Sequence, residues 1–356
     1  MALTTDLCRR LGIDVPIFQA PMAGSSTPAL AAAVSNAGGL GGLGLGTVLP
    51  DKAQADIRAT RAATNRPIHA NFFVHTPPRD DAARADAFRQ RLAPYYAELG
   101  AGAVPPLADA APPFGDDTLD ALLADCPAVV SFHFGLPPVE RVRALQRAGA
   151  FVMSSATSVA EARAIEANGA DAVIAQGYEA GGHQGSFHDK VGADPIGTMA
   201  LVPQVVDAVR IPVIAAGGVA DGRGIAAALA LGAQAAQIGT AFLTCPEAAT
   251  PDAHRALLLE GTPTGTILTT AFTGRRARAI VNRYARDMAD ARDLPDFPLL
   301  RSVTAPLAGK AMQGGSTDFS AFWAGQSASL ARAAPAAELV RSLAAEAEAV
   351  LARLRA

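Results

Sequence analysis

Cysteine, aromatic side chains and net charge are all scarce in this chain, and each scarcity closes off a class of protein. The 356 residues include 3 cysteines, Cys8, Cys126 and Cys245. Their number is odd and their spacing fits neither a disulfide framework nor a metal site, which points to a reducing compartment. Aromatic residues make up 5% of the chain, so the core has to be packed from alanine, glycine and aliphatic side chains. The formal net charge is -3 and the pI is near 6.1, without the basic footprint that nucleic-acid binding needs. The local basic cluster, Arg275-Arg276-Ala277-Arg278, reads as a solvated helix face. No apolar run approaches the ~18 residues of a membrane span. The opening stretch, MALTTDLCRRLGIDVP, lacks the apolar segment of a secretory signal. The expectation is a soluble, cytoplasmic protein with neither a nucleic-acid nor a membrane partner and with no bound metal.

What the chain has in quantity is hydrophobic residues, 50% of the total, arranged in a repeating rhythm. Short β-type runs fall at 16–20, 39–43, 67–74, 128–134, 150–154, 172–175, 212–216 and 235–239. Most are followed by Ala/Leu-rich segments at helical period, at 27–37, 51–64, 138–148, 158–168, 198–209 and 221–231. Pro28 in the first turn and Gly38 just past the end frame the first of these as a helix. Strand–helix alternation implies parallel strands joined by crossover helices. Eight such units fit a closed (β/α)8 TIM barrel better than a doubly wound sheet, and no G-x-G-x-x-G follows the first strand. The predicted division is a barrel over 1–250 with a helical insertion near 76–125. A mainly helical region over 251–356, ending in a long helix from about 335 to 355, would pack on the barrel as a cap or second domain.

Active sites of this architecture lie at the carboxyl ends of the strands, and phosphates commonly dock on the loops after the seventh and eighth. Those loops carry Gly217-Gly218 and Gly239-Thr240. The glycines allow backbone N–H groups to approach a phosphate closely, with the dipole of the following helix in support. At other strand ends stand Gln19 with Met22-Ala23-Gly24, then Asn71, His133 and Gln176. Amides converging on one rim suit a planar heterocycle, so flavin mononucleotide (FMN) is the cofactor that satisfies both features. The loop Gln176-Gly-Tyr-Glu-Ala-Gly-Gly-His183 follows the sixth strand, and its glycines can fold His183 over such a cofactor. A histidine titrating near neutrality can act as a general base or hold an anionic substrate. Glu179 either orients that histidine or binds backbone N–H groups.

These residues resemble the nitronate monooxygenase family over most of the chain. The resemblance rests on Gln19-Ala-Pro-Met-Ala-Gly24, Ala37-Gly-Gly-Leu-Gly41, Asn71-Phe-Phe73, His133-Phe-Gly135 and Gln176–His183. It continues through Pro212-Val-Ile-Ala-Ala-Gly-Gly218, Gln237-Ile-Gly-Thr-Ala-Phe242 and Trp323-Ala-Gly-Gln326. It implies an FMN-containing TIM barrel with a helical second domain. It also implies that Asn71, Gln176, Gly181, Gly218 and Gln237-Ile238-Gly239-Thr240 bind the flavin and that His183 is catalytic. His133 and Lys310 become the candidate substrate contacts, Lys310 as a companion of the closing motif. Family members oxidise alkyl nitronates such as propionate 3-nitronate with O2 to a carbonyl compound and nitrite, through a flavin semiquinone. The rival activities on related scaffolds are an FMN-dependent NAD(P)H:quinone reductase and an enoyl-thioester reductase. A barrel that merely binds flavin or phosphate would not need a titrating group in the loop of His183.

Overall fold

The rhythm of apolar runs closes into a barrel. The structure, a computed structural model, describes residues 3–108, 112–188, 195–262 and 264–355. Its strands are β1 (Ile17–Gln19), β2 (Gly41–Gly44), β3 (Ile68–Phe73), β4 (Val129–His133), β5 (Phe151–Ala156) and β6 (Ala172–Gln176). There follow β7 (Gly182–His183), β8 (Val213–Ala216), β9 (Ala235–Ile238), β10 (Thr266–Thr269) and β11 (Ala277–Ile280). An 8-stranded parallel sheet runs in the order β1-β9-β8-β6-β5-β4-β3-β2. A parallel bridge between Phe18 and Leu40 joins its two edges. Every strand of the barrel falls where the periodicity places it, within a few residues.

The helices are α1 (Asp6–Leu11), α2 (Pro28–Asn36), α3 (Pro50–Ala63), α4 (Ala82–Glu98), α5 (Asp116–Ala124), α6 (Val139–Arg147) and α7 (Val159–Ala167). After them come α8 (Thr198–Ala208), α9 (Gly222–Ala230), α10 (Asp252–Leu259), α11 (Arg283–Asp287), α12 (Arg301–Gln313) and α13 (Ala336–Arg355). Their starts follow local chemistry. Thr27 accepts from the N–H of Leu30 with Pro28 in the first turn of α2, and Ser158 caps α7 by accepting from Glu161 N–H. Glu161 reaches back to the N–H of Thr157 at 2.7 Å, completing a reciprocal cap. Gly41 is where α2 meets the sheet, since a Cβ there would sit 1.9 Å from the carbonyl oxygen of Ala31.

Two stretches divide their roles within themselves. In the stretch 76–125, α4 lies outside the barrel, with Phe88, Leu92 and Tyr96 packed on Leu300, Val303 and Leu307 around α12. By contrast α5 sits between α3 and α6 in the outer ring. In the stretch from 251, α13 packs between α9 and α2 and fills the ring position of the eighth helix. Its Leu339, Val340 and Leu343 share a core with Leu30 and Ile225. Among the described residues no helix is long and apolar enough to cross a membrane.

The same stretch also contains strands that the sequence reading missed. β10, β11 and β7 form a 3-stranded antiparallel sheet over the barrel mouth, with Ala277 opposite His183 and Arg278 opposite Gly182. The basic cluster is therefore not a solvated helix face. Arg-Ala-Arg-Ala alternates at period two, which suits a strand paired on both sides. Arg278 is 1% exposed; its Nε and Nη2 donate to the carbonyl of Tyr178 at 3.1 and 2.9 Å, and its guanidinium stacks over the Tyr178 ring.

Candidate active site

Alternation along the strands sends every second side chain into the barrel, and the inward set changes character along the axis. Near the amino-terminal end it is apolar: Phe18, Val129, Phe151, Met153, Ile174 and Ile214 pack with Leu7, Cys8, Leu11 and Ile13. Toward the other end come His69, Asn71, Ser131, His133, Ser155, Gln176 and Gln237. His69 Nε2 bonds Ser131 Oγ, and Asn71 Nδ2 donates to the same oxygen at 2.8 Å. Burial pushes the His69 imidazole down to about 3, so it is neutral. Asn71 is thus fixed by its nitrogen, and its Oδ1 has no partner among the described residues. Gln237 Oε1 is buried without a hydrogen bond. An orphaned acceptor of that kind is costly in a native interior and asks for a ligand donor.

His183 sits over this polar layer and is held from several sides. Its strand β7 is zipped to β11. Its carbonyl oxygen accepts from Gln176 Nε2 at 3.0 Å and from His133 Nε2 at 3.1 Å. Since a carbonyl only accepts, His133 carries its proton on Nε2, and its Nδ1 accepts from Ser155 Oγ at 3.0 Å. Gln176 Oε1 accepts from Gly185 N–H at 2.6 Å. Both ends of the Gln176 amide thus fasten its own loop. The imidazole of His183 contacts Thr273 Oγ1 through Nε2 at 2.9 Å, while Nδ1 makes no hydrogen bond among the described residues.

The ring of His183 is walled by aromatic side chains. Phe297 and Trp323 have centroids 5.3 Å away, and Phe134 stands edge-on at 5.7 Å. Phe73, Phe134 and Phe297 form one apolar cluster. Phe134 is presented to the site by an uncommon backbone, with φ at 72° for a bulky residue. The guanidinium of Arg275 lies 4.0 Å above the Phe134 ring, and its Nη2 donates to the carbonyl of Ser186. Burial first, and then the charges of His133, Arg275 and Arg301, push the His183 imidazole down to about 3. The same first cause, assisted by Arg275, takes His75 to about 4. The mouth therefore holds a neutral imidazole walled by aromatic side chains.

The loops after β8 and β9 hold the glycines expected to receive a phosphate. Gly217 and Gly218 have φ of 102° and 72°, values that favour glycine. A Cβ on Gly217 would lie 2.9 Å from the carbonyl oxygen of Gly177. The N–H groups of Gly218, Val219, Gly239 and Thr240 donate to no acceptor among the described residues. One expectation changes here. The amino terminus of α9 is closed by Asp221, whose carboxylate accepts from the N–H groups of Arg223 and Gly224. The backbone donors left open here are thus those of the loops, not those at the end of that helix.

The other expected residues divide clearly. Met22 packs between the barrel and the 3-10 turn region, and its sulfur lies 3.8 Å from where a Gly239 Cβ would be. Ala23 and Gly24 are exposed at the rim. The side chain of Ile238 is buried in the outer core, so the backbone of that residue, accepting from Ala20 N–H, is the part that lies at the rim. Gly181 is required by the closing motif, since a Cβ would meet Gly325 N at 2.6 Å. Gly325 N–H donates to Thr240 Oγ1 at 3.0 Å and Gln326 N–H to the carbonyl of Glu179, so this motif stitches the His183 loop to the last strand end. Glu179 holds Thr198 N–H and Oγ1 rather than His183. Lys310 is exposed on the last turn of α12 and makes no ion pair among the described residues; Arg301, at the other end of that helix, is one of the cations whose charge reaches His183. Thr273 and Phe297 stand beside His183 without any signal in the sequence, while Arg275 belongs to the run that reads as a solvated helix face and Phe134 enters only as a member of the His133-Phe-Gly135 motif.

Comparison with known proteins agrees with this architecture. A family model described as nitronate monooxygenase matches residues 5–346. A nitronate monooxygenase of Pseudomonas aeruginosa is 48% identical over 345 residues, covering 96% of this chain and 98% of that one. One from Paraburkholderia phytofirmans is 46% identical over 349 residues, covering 97% and 95%. The crystal structure of a nitroalkane oxidase from Streptomyces ansochromogenes superposes with a TM-score of 0.87 at 44% identity, covering 96% of this chain and 98% of that one.

Proposed function

The chain belongs to the nitronate monooxygenase family, and on that premise we propose that it is an FMN-dependent oxidoreductase converting alkyl nitronates and O2 to carbonyl compounds and nitrite. The observation that carries the reading is the placement of His183. Its Nδ1, unbonded among the described residues, shares the mouth with an orphaned amide acceptor, Gln237 Oε1, beside the N–H groups of Gly218, Val219, Gly239 and Thr240, which find no acceptor among the described residues. That donor and acceptor set fits FMN: Gly218, Val219, Gly239 and Thr240 would hold the phosphate, and Asn71 and Gln237 the polar edge of the ring system. When bound, FMN supplies the electron acceptor and the route to O2.

The residues of the chain divide the remaining work. Arg301, whose charge reaches His183, favours an anion such as a nitronate, or propionate 3-nitronate with its additional carboxylate. The aromatic wall of Phe73, Phe134, Phe297 and Trp323 excludes water and takes the alkyl part. His183 and His133 stay neutral at physiological pH because of burial. His183 therefore offers a ring-nitrogen lone pair to the cavity rather than a positive charge. His133 acts one step back, holding the carbonyl of His183.

The test is to purify the protein, record its flavin absorbance, and compare O2 uptake on propionate 3-nitronate with anaerobic bleaching by NADH and NADPH. The expected result is a yellow protein with rapid nitronate-dependent O2 uptake. Rapid bleaching by NADH without that uptake would instead identify an NAD(P)H:quinone reductase. A colourless protein that cannot be reconstituted with FMN would remove the cofactor assignment altogether.

A further inference from the structure

Thr273 has a single hydroxyl proton and several neighbours. Its Oγ1 lies 2.9 Å from His183 Nε2, 3.2 Å from the carbonyl oxygen of Arg275 and 3.4 Å from the N–H of Arg275. The carbonyl can only accept and the N–H can only donate. If the hydroxyl donates to the carbonyl, its oxygen accepts from Arg275 N–H and from a protonated Nε2, and every contact is satisfied. If it donates to Nε2 instead, the carbonyl contact is left unmade and the proton of the neutral ring moves to Nδ1.

The turn that carries this hydroxyl is rigid. Gly274 has φ of 85°, and a Cβ there would sit 2.4 Å from the carbonyl oxygen of Pro295. Tyr284 donates to the carbonyl of Ala271 at 3.1 Å and Thr304 to that of Phe272 at 2.9 Å. Thr273 itself is 7% exposed. The hydroxyl is therefore delivered to His183 from a pinned backbone, not from a swinging loop.

We propose that Thr273 is the positioning residue that fixes the tautomer of His183, so that Nε2 carries the proton and Nδ1 presents its lone pair to the cavity. This rests on the reading of His183 as the residue that meets the substrate. It adds to the nitronate reading a preceding step, proton abstraction from a neutral nitroalkane by His183. The α-carbon C–H bond breaks, its electron pair delocalises onto the nitro oxygens to give the nitronate, and the proton passes to Nδ1. The resulting imidazolium still donates from Nε2 to Thr273, so the contact persists through the step and no neighbour has to reorient.

The test uses the flavin-loaded protein, with Thr273→Val keeping the shape, Thr273→Ser keeping the hydroxyl, and His183→Asn as reference. Nitroethane and preformed ethyl nitronate are the probes, and imidazole 15N NMR of histidine-labelled protein reads the tautomer, the His183 signal being the one absent from His183→Asn. The expected result is an Nε2–H tautomer in the unmodified protein and a mixture in Thr273→Val. In that variant kcat/KM on nitroethane should fall by about tenfold or more while that on ethyl nitronate stays within about threefold, and Thr273→Ser should restore the first. An Nδ1–H tautomer in the unmodified protein overturns the proposal. So does a Thr273→Val that matches it on nitroethane while His183→Asn does not. If His183→Asn itself turns over nitroethane normally, the underlying reading of His183 fails, and the role of Thr273 with it.

Discussion

At the amino-terminal end of the barrel, Leu7, Cys8, Leu11 and Ile13 cover Phe18, Met153 and Ile174 in an interior without a charge. At the carboxyl-terminal end the same strands present histidines, amides and serines, with an arginine stacked on phenylalanine above them. One end gains stability from area removed from water, which is indifferent to direction. The other is held by hydrogen bonds whose partners are specified atom by atom, and it keeps acceptors unfilled. The difference shows how one sheet divides its labour: the sealed end keeps the strands in register so that the open end can hold groups that do not stabilise it.

That contrast can be attacked from either end. The largest effect is expected at the sealed end, where Phe18→Ala should cost about 3–5 kcal/mol of stability by opening a cavity in a closed core. Urea unfolding would measure it, and the fraction still folded should bind flavin with unchanged stoichiometry. A loss of flavin without a loss of stability would mean that the two ends are not separable. A smaller effect is expected from acid. His69, His133, His183 and His254 have folded values near 3 to 4 against 6.5 for the free side chain. The folded state therefore binds fewer protons than the unfolded one between those limits. Stability is fully present above pH 6.5 and falls as the pH drops toward 4. His69→Gln should flatten that part of the stability curve, and an unchanged slope would move the burden to the other histidines. The smallest effect belongs to a residue at neither end. Lys310→Met should change stability by less than about 0.5 kcal/mol and kcat/KM by less than about twofold. A tenfold loss in kcat/KM would restore Lys310 to the substrate site.

How much of this was readable from the chain depends on the range over which each feature is encoded. The barrel strands were legible because cores on both faces make runs such as Phe151–Ala156 buried at every position, and the following helices impose their own period. β7 was not, because two residues, Gly182 and His183, carry no periodicity; their strand character comes from pairing with Ala277 and Arg278. The basic run around Arg278 has the composition of a surface, and only its pairing on both sides buries it. His183 and the glycine loops could be read because their residue types have few structural uses at strand ends. Thr273 could not, since a threonine in a turn is ordinary until Gly274 presses that turn against Pro295. Lys310 illustrates the converse, a residue singled out by the closing motif beside it and placed by its helix on the surface.

Phe134 has one more consequence. An aromatic residue at a φ of 72° occupies a conformation that favours glycine by roughly 1–2 kcal/mol. Glycine at 134 would relieve that strain, but it would empty the place of a buried ring between Phe73 and Phe297, at a cost of about 3–5 kcal/mol, and it would lose the edge that faces His183 and the platform beneath Arg275. The position records a preference for a surface over a resting energy. Packing outweighs the backbone strain, so selection for heat tolerance would keep the same ring that the mouth of the barrel uses.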